Sequence, residues 1–156
     1  MIKAIIVEDE PLVGELLQNL LRLHCPQVTV AALCRDPRQA LELIPQLQPG
    51  LVFLDVEMPH MNGFELLGKL GTSSFEVIFT TGYDQYAIRA IRFSALDYLV
   101  KPIDPKELIA AIKKYETRTA QVLPQQLDIL FARLHTKQQP PDRLAIPTLD
   151  GLQIIP

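Results

Sequence analysis

L-V-F-L-D-V-E-M-P-H-M-N-G, residues 51–63, is the stretch from which the rest of the chain can be read. An apolar run of strand length ends in Asp55, and Met58-Pro59-His60-Met61-Asn62-Gly63 reads as a loop before an apolar helix at 64–70. An unbroken apolar run without alternation fits a strand covered on both faces. A carboxylate at the end of such a strand stands where open parallel sheets gather their functional groups.

The same unit recurs on either side. Upstream, Ile2–Val7 is a β-branched run of strand length. Pro11 sits at a helix start, and Leu12, Leu16, Leu17, Leu20 and Leu21 follow at helical spacing. Residues 28–33 read as a second strand. Asp36-Pro37 then pairs an N-cap with a first-turn proline, opening a helix with Ala40, Leu41, Leu43 and Ile44 inward. Pro49-Gly50 punctuates the chain before the central strand. Downstream, 77–79 is a fourth strand running into Thr80-Thr81-Gly82. Residues 84–93 carry Ala87, Ile88, Ala90 and Ile91 at helical spacing. A fifth strand, 98–100, is closed by Lys101-Pro102, and Asp104-Pro105 caps a last helix running to about Lys113. Strict β-α alternation implies a parallel sheet with helices on both faces and right-handed crossovers.

Composition narrows the function. The chain has 156 residues, 48% of them hydrophobic, a net charge of −3 and a pI near 5.6. A dedicated nucleic-acid binder usually carries a basic patch instead. Cys25 and Cys34 make no disulfide framework or zinc pattern, and His24, His60 and His135 are scattered. The start M-I-K-A-I-I-V-E-D-E turns acidic after a short apolar run, unlike a signal peptide, and no apolar run approaches membrane-spanning length. A reducing, cytoplasmic setting is the expectation.

The strand ends carry the chemistry. The first ends at Glu8-Asp9-Glu10, the third at Asp55, the fourth at Thr80-Thr81 and the fifth at Lys101. Glu8, Asp9 and Asp55 brought to one point repel each other unless a positive charge sits among them. A hard divalent cation serves, and Mg²⁺ suits carboxylate and carbonyl oxygens with retained waters. Lys101 brings a second positive charge from the far side. These are the parts of phosphoryl transfer: a carboxylate nucleophile (Asp55), a metal, and a lysine and hydroxyl (Lys101, Thr81) for the phosphoryl oxygens. Taken singly, each has a plain alternative: a solvated acidic loop, a helix N-cap, a Lys-Pro turn. Their joint occurrence, in this order and at these strand ends, argues for the site.

V-E-D-E-P (7–11), L-D-V-E-M-P-H-M-N-G (54–63), F-T-T-G (79–82) and D-Y-L-V-K-P (97–102) resemble the signature segments of response-regulator receiver domains over roughly residues 1–118. The resemblance implies a flavodoxin-like doubly wound five-stranded parallel sheet of order 2-1-3-4-5. It implies that Asp55 is the phospho-acceptor and that Mg²⁺ is held by Asp9, Asp55 and the Glu57 backbone carbonyl, with Glu8 acting through water. Thr81 becomes the switch hydroxyl, Lys101 the family lysine, followed by a commonly cis Pro102, and Tyr98 the aromatic switch. No further cofactor is implied, and the role is that of a switch, not an enzyme. Glu8 stands where Asp is more usual, and Gly82 where Ala is more frequent. Glu57 and Tyr83 occupy the positions that tune phosphoryl lifetime in the family.

The segment 79–102 is similar to the subgroup whose output is a LytTR-type DNA-binding domain. On that basis, residues 1–120 are expected to be the receiver and 121–142 a helical linker, containing an amphipathic helix at 125–137 with Leu127, Leu130, Phe131 and Leu134. Residues 143–156 resemble the start of a truncated output domain, with Asp150-Gly151 as a hairpin signal. The implied partners are a sensor histidine kinase, a second copy on phosphorylation through residues such as Ile91 and Phe93, and DNA only through the missing output domain. No membrane partner is expected. Three other readings compete with this one. The first is a Mg²⁺-dependent aspartyl-phosphate phosphatase, whose D-x-E motif usually follows the first strand rather than the third. The second is a non-phosphorylated pseudo-receiver. The third is a flavin or nucleotide binder, for which no Gly-rich phosphate loop is present.

Overall fold

Five short hydrophobic strands lie side by side in a single sheet, and the helices that connect them cover both of its faces. The structure is a computed structural model and describes residues 1–71, 74–83, 89 and 94–121. The elements are β1 (Ile2–Val7), α1 (Pro11–His24), β2 (Val28–Cys34), α2 (Pro37–Leu47), β3 (Leu51–Asp55), α3 (Gly63–Leu70), β4 (Glu76–Thr81), β5 (Asp97–Val100) and α4 (Pro105–Gln121). All strand pairings are parallel, in the order β2-β1-β3-β4-β5. This is the expected doubly wound, flavodoxin-like order, in which the chain leaves β1 toward both edges.

Side chains sort by strand parity. Ala4 and Ile6 of β1, Leu51 and Phe53 of β3 and Ile78 of β4 pack with Leu17 and Leu21 of α1 and Leu108, Ala111 and Ile112 of α4. Ile5 and Val7, Val52 and Leu54, and Val77 and Phe79 pack on the other face with Ala40 and Ile44 of α2 and Phe64 and Leu66 of α3. Two hydrophobic layers thus clamp the sheet. Phe53, Phe79, Ile5 and Ile6 are among its largest fully buried side chains. Burying each side chain stabilises the fold by about 1.5–3 kcal/mol relative to leaving it in water.

Local signals set the helix starts. Asp36 caps α2 by accepting from the Arg38 N–H at 2.8 Å, with Pro37 in the first turn. Asn62 and Glu65 make a reciprocal capping box at the head of α3, at 2.8 and 2.9 Å. That reciprocal box, which the sequence analysis did not single out, fixes the head of α3 behind the Asp55 loop.

Several boundaries differ from the sequence reading. β2 and β4 extend further, because ladder bonding continues past the apolar run: Thr80 and Thr81 lie within β4, paired with β5. α4 runs to Gln121 instead of ending near Lys113. The α1 stripe also narrows: Leu17 and Leu21 are buried, while Leu12 and Leu16 are 80% and 52% exposed. A buried helical stripe covers only part of the circumference, and five leucines span more than it can hide.

Met1–Glu116 pack as one compact unit, and Thr117–Pro156 form a second, described only to residue 121. The helix expected at 84–93 falls outside the described residues except for Arg89, as do Ile91, Phe93, the 125–137 helix and the 143–156 hairpin. Among the described residues, no helix is long and apolar enough to cross a membrane.

Candidate functional site

The carboxyl ends of β1, β3, β4 and β5 meet because parallel strands point the same way and their loops are stitched together. The Val56 N–H donates to the Thr80 carbonyl (2.9 Å), the Lys101 N–H to the Thr81 carbonyl (2.7 Å) and the Gly63 N–H to the Val56 carbonyl (2.9 Å). The Glu8 N–H extends the β1–β2 ladder by donating to the Cys34 carbonyl (2.9 Å). The backbone at Glu8, after Asp55 and at Lys101 is therefore tied to neighbouring strand ends.

Glu8, Asp9 and Asp55 offer carboxylate oxygens that all lie within 4.8 Å of one another. Lys101 Nζ reaches Glu8 Oε1 at 2.8 Å and Asp55 Oδ1 at 3.2 Å. Glu8 and Asp55 are almost wholly buried, Asp9 and Lys101 partly so. With every group ionised, three acids against one base leave two negative charges in excess.

Asp55 responds to its burial and, after that, to its charged neighbours. Its carboxyl is pushed up to about 8, first by burial and then by the Glu8 charge, against the opposing pull of Lys101. Burial works against the Lys101 ammonium, but its hydrogen bond to Glu8 and the charges of Asp55 and Glu8 outweigh this and hold it above its ordinary value. The Glu57 N–H donates to Asp55 Oδ1 at 3.2 Å, and the Glu10 N–H to Glu8 Oε2 at 3.2 Å.

The donor set fits a small hard cation. Oxygens around an octahedral Mg²⁺ at about 2.1 Å lie about 3 to 4.2 Å apart. The carboxylate oxygens of Glu8, Asp9 and Asp55, all within 4.8 Å of one another, are gathered on that scale. The all-oxygen chemistry and unbalanced negative charge also favour Mg²⁺ over softer metals.

The hydroxyl and aromatic groups stand nearby in a different engagement. Thr81 is fully buried, and its Oγ1 accepts from the Tyr83 N–H (3.0 Å) and donates to the Tyr83 carbonyl (3.3 Å). Tyr98 is half-buried against the α2–α3 side of the core, next to Phe79 in the β4–β5 register. The Lys101–Pro102 peptide is cis, as the resemblance implied. Glu8, Asp9, Asp55 and Lys101 are thus brought together, while Thr81 is held by its own loop and Tyr98 lies along β5.

The sequence reading missed two features. It did not foresee the direct Glu8–Lys101 ion pair, since nothing in the spacing shows that two strand ends lie within one side-chain length. It also missed Arg89, whose guanidinium stacks 4.1 Å above the Phe64 ring, itself 4.8 Å from Phe79. Phe64 directly follows the glycine that packs on Asp55, so this stack adjoins the site.

A doubly wound five-stranded parallel sheet with three acids and a lysine at its carboxyl edge defines the receiver fold. The chain belongs to the response regulator receiver domain family, whose description matches residues 4–113. It is 40% identical over 116 residues to an uncharacterized response regulatory protein of Yersinia pestis, covering 73% of this chain and 48% of that one. It is 36% identical over 123 residues to the sensory transduction protein LytT of Enterococcus faecalis, covering 78% of this chain and 50% of that one. Among solved structures it is similar to the receiver domain of AraT, a response regulator of Geobacillus stearothermophilus (31% identity, TM-score 0.68, 76% of this chain and 96% of that one). The chain spans about half the length of the curated relatives it matches.

Proposed function

We propose that this receiver domain is a phospho-switch in which Asp55 accepts a phosphoryl group from a sensor histidine kinase in a Mg²⁺-dependent reaction. The observation that carries the reading is the buried Asp55 carboxylate, bonded by Lys101 and clustered with Glu8 and Asp9 at a convergent strand edge. An Asp55 oxygen attacks the phosphorus of the donor phosphohistidine; the P–O bond forms, the P–N bond breaks and the imidazole leaves with the electron pair. Asp9, Asp55 and the Glu57 carbonyl would hold the ion directly, and Glu8 through water. When bound, Mg²⁺ neutralises charge shared between the carboxylate and the phosphoryl oxygens. Lys101 Nζ, already on Asp55, is placed to stay with the new phosphoryl oxygens.

Thr81 then supplies the switch. Its hydroxyl leaves Tyr83 for a phosphoryl oxygen, which drags the β4 end inward, and Tyr98 moves into the space released. The altered face favours a dimer. Residues 121–142 serve as a linker and 143–156 as the beginning of a LytTR-type output domain, so that the parent protein acts on transcription in the cytoplasm. The module itself is a switch rather than an enzyme.

The chemical class of the adduct tests this reading. After incubation with acetyl phosphate, treatment with hydroxylamine is expected to strip the phosphoryl group, because it cleaves an acyl phosphate and leaves a phosphate ester intact. A hydroxylamine-resistant adduct would place phosphate on a hydroxyl such as Thr81 and defeat the proposal.

Proton linkage gives a second test. Asp55 is raised to about 8 in the folded chain against an unfolded carboxylate near 3.8. Between those values the folded form keeps a proton that the unfolded form has lost. The stability from this group is therefore full below about 3.8 and lost as pH rises through about 8. Mg²⁺ must displace that proton, so its increment in Tm is expected to grow from pH 6 to pH 8. Thermal melts with and without Mg²⁺ measure this; an increment independent of pH would mean that Asp55 is not among the ligands.

A further inference from the structure

Glu8 is engaged on both of its oxygens within the protein. Oε1 pairs with Lys101 Nζ at 2.8 Å, shorter than the 3.2 Å from Nζ to Asp55, and Oε2 accepts from the Glu10 N–H at 3.2 Å. Only 3% of Glu8 is exposed, less than the partly exposed Asp9 beside it. Its backbone is locked to Cys34, and its stem passes Gly14 of α1, where a Cβ would stand 3.6 Å from Glu8 Cγ. A carboxylate one methylene shorter ends about 1.5 Å further back. Added to the 2.8 Å contact, that puts it beyond the roughly 4 Å reach of an ion pair.

Building on the phospho-switch reading, we infer that Glu8 is the positioning residue for Lys101: its length, more than its charge, sets the ammonium against Asp55. Oε1 belongs to the lysine, and only Oε2 is left to face a hydrated cation. Lys101 rises from β5 and Asp55 from β3, with β4 between them, so the two are not on neighbouring strands. The Glu8 carboxylate, from β1 on the other side of β3, is the strut that sets one against the other.

The test compares Glu8→Asp with Glu8→Gln, each alone and combined with Lys101→Ala. At saturating Mg²⁺ and acetyl phosphate, Glu8→Asp is expected to slow phosphoryl uptake about tenfold, a loss that added Mg²⁺ does not restore. Glu8→Gln, which keeps the reach and an oxygen for Nζ, is expected to lie closer to wild type. In the Lys101→Ala background, Glu8→Asp is expected to change the rate less than twofold, because coupled residues are not additive. The inference is overturned if Glu8→Asp runs at the wild-type rate, if added Mg²⁺ rescues it, if Glu8→Gln is the slower variant, or if the loss is equal in both backgrounds. Metal-free thermal melts of the same proteins read the pair without phosphorylation. The Glu8→Asp and Lys101→Ala drops in Tm should not add, and additive drops would overturn the strut even if the wild type takes up no phosphoryl group. Failure of wild-type uptake alone defeats only the phospho-switch reading.

Discussion

Replacing Lys101 by alanine is expected to slow phosphoryl uptake at Asp55 by about a hundredfold, the scale of removing one preorganised donor from a charge-developing site. Lys101 Nζ lies 3.2 Å from the attacking carboxylate and is the cation that offsets the pull of burial and of Glu8 on its proton. Without it, Asp55 is more often protonated and a weaker nucleophile, and the incoming phosphoryl oxygens lose a charged donor. Both effects act in the same direction. Stopped-time labelling with acetyl phosphate, analysed by intact mass, measures the rate. Lys101→Arg should recover only part of it, because a planar guanidinium cannot sit as a point charge between Glu8 and Asp55. A wild-type rate in Lys101→Ala would remove the lysine from the chemistry.

Gly63→Ala carries the second large effect, this time on stability. A Cβ there would lie 2.6 Å from the Asp55 carbonyl oxygen, 3.2 Å from Leu54 Cγ and 3.3 Å from Val56 Cα. Two of these atoms are backbone of the central strand and its exit, and the Gly63 N–H is tied to the Val56 carbonyl at 2.9 Å. Neither side can yield without moving Asp55, so a loss of about 1–3 kcal/mol is expected, at the upper end for a rigid clash. Gly68 of the same helix is the control. It is exposed, and a Cβ there meets nothing within 4 Å. Gly68→Ala should therefore stabilise by about 0.5–1 kcal/mol through helix propensity. Urea unfolding of the two variants checks both signs; equal effects would mean that the approach of α3 to Asp55 is not rigid.

Much of this was legible from residues because the strands are short, apolar and parallel. The apolar run at 51–54 is of strand length and, between turn signals, fits a strand buried on both faces; once β3 is central, Asp55 falls at its carboxyl edge. Thr80, Thr81 and Lys101 follow by the same logic. Side-chain length and direction were not legible. Periodicity placed Leu12 and Leu16 with Leu17 and Leu21, but which leucines of α1 face the sheet depends on how the helix rolls against Ala4 and Ile6. Motif order placed Glu8 near a metal, but the distance from the β1 end to the β5 end is a property of the sheet twist and not of the spacing. Thr81 was named as a switch, yet its present bond to Tyr83 comes from a turn that the string F-T-T-G-Y does not declare.

The central claim is that Asp55 is a Mg²⁺-dependent phospho-acceptor. It is tested most directly by intact mass after incubation with acetyl phosphate, with and without Mg²⁺, on the wild type and on Asp55→Ala. The expected result is a gain of one phosphoryl group that needs Mg²⁺ and vanishes in the variant. An unmodified wild type, or an adduct that persists in Asp55→Ala, would contradict it.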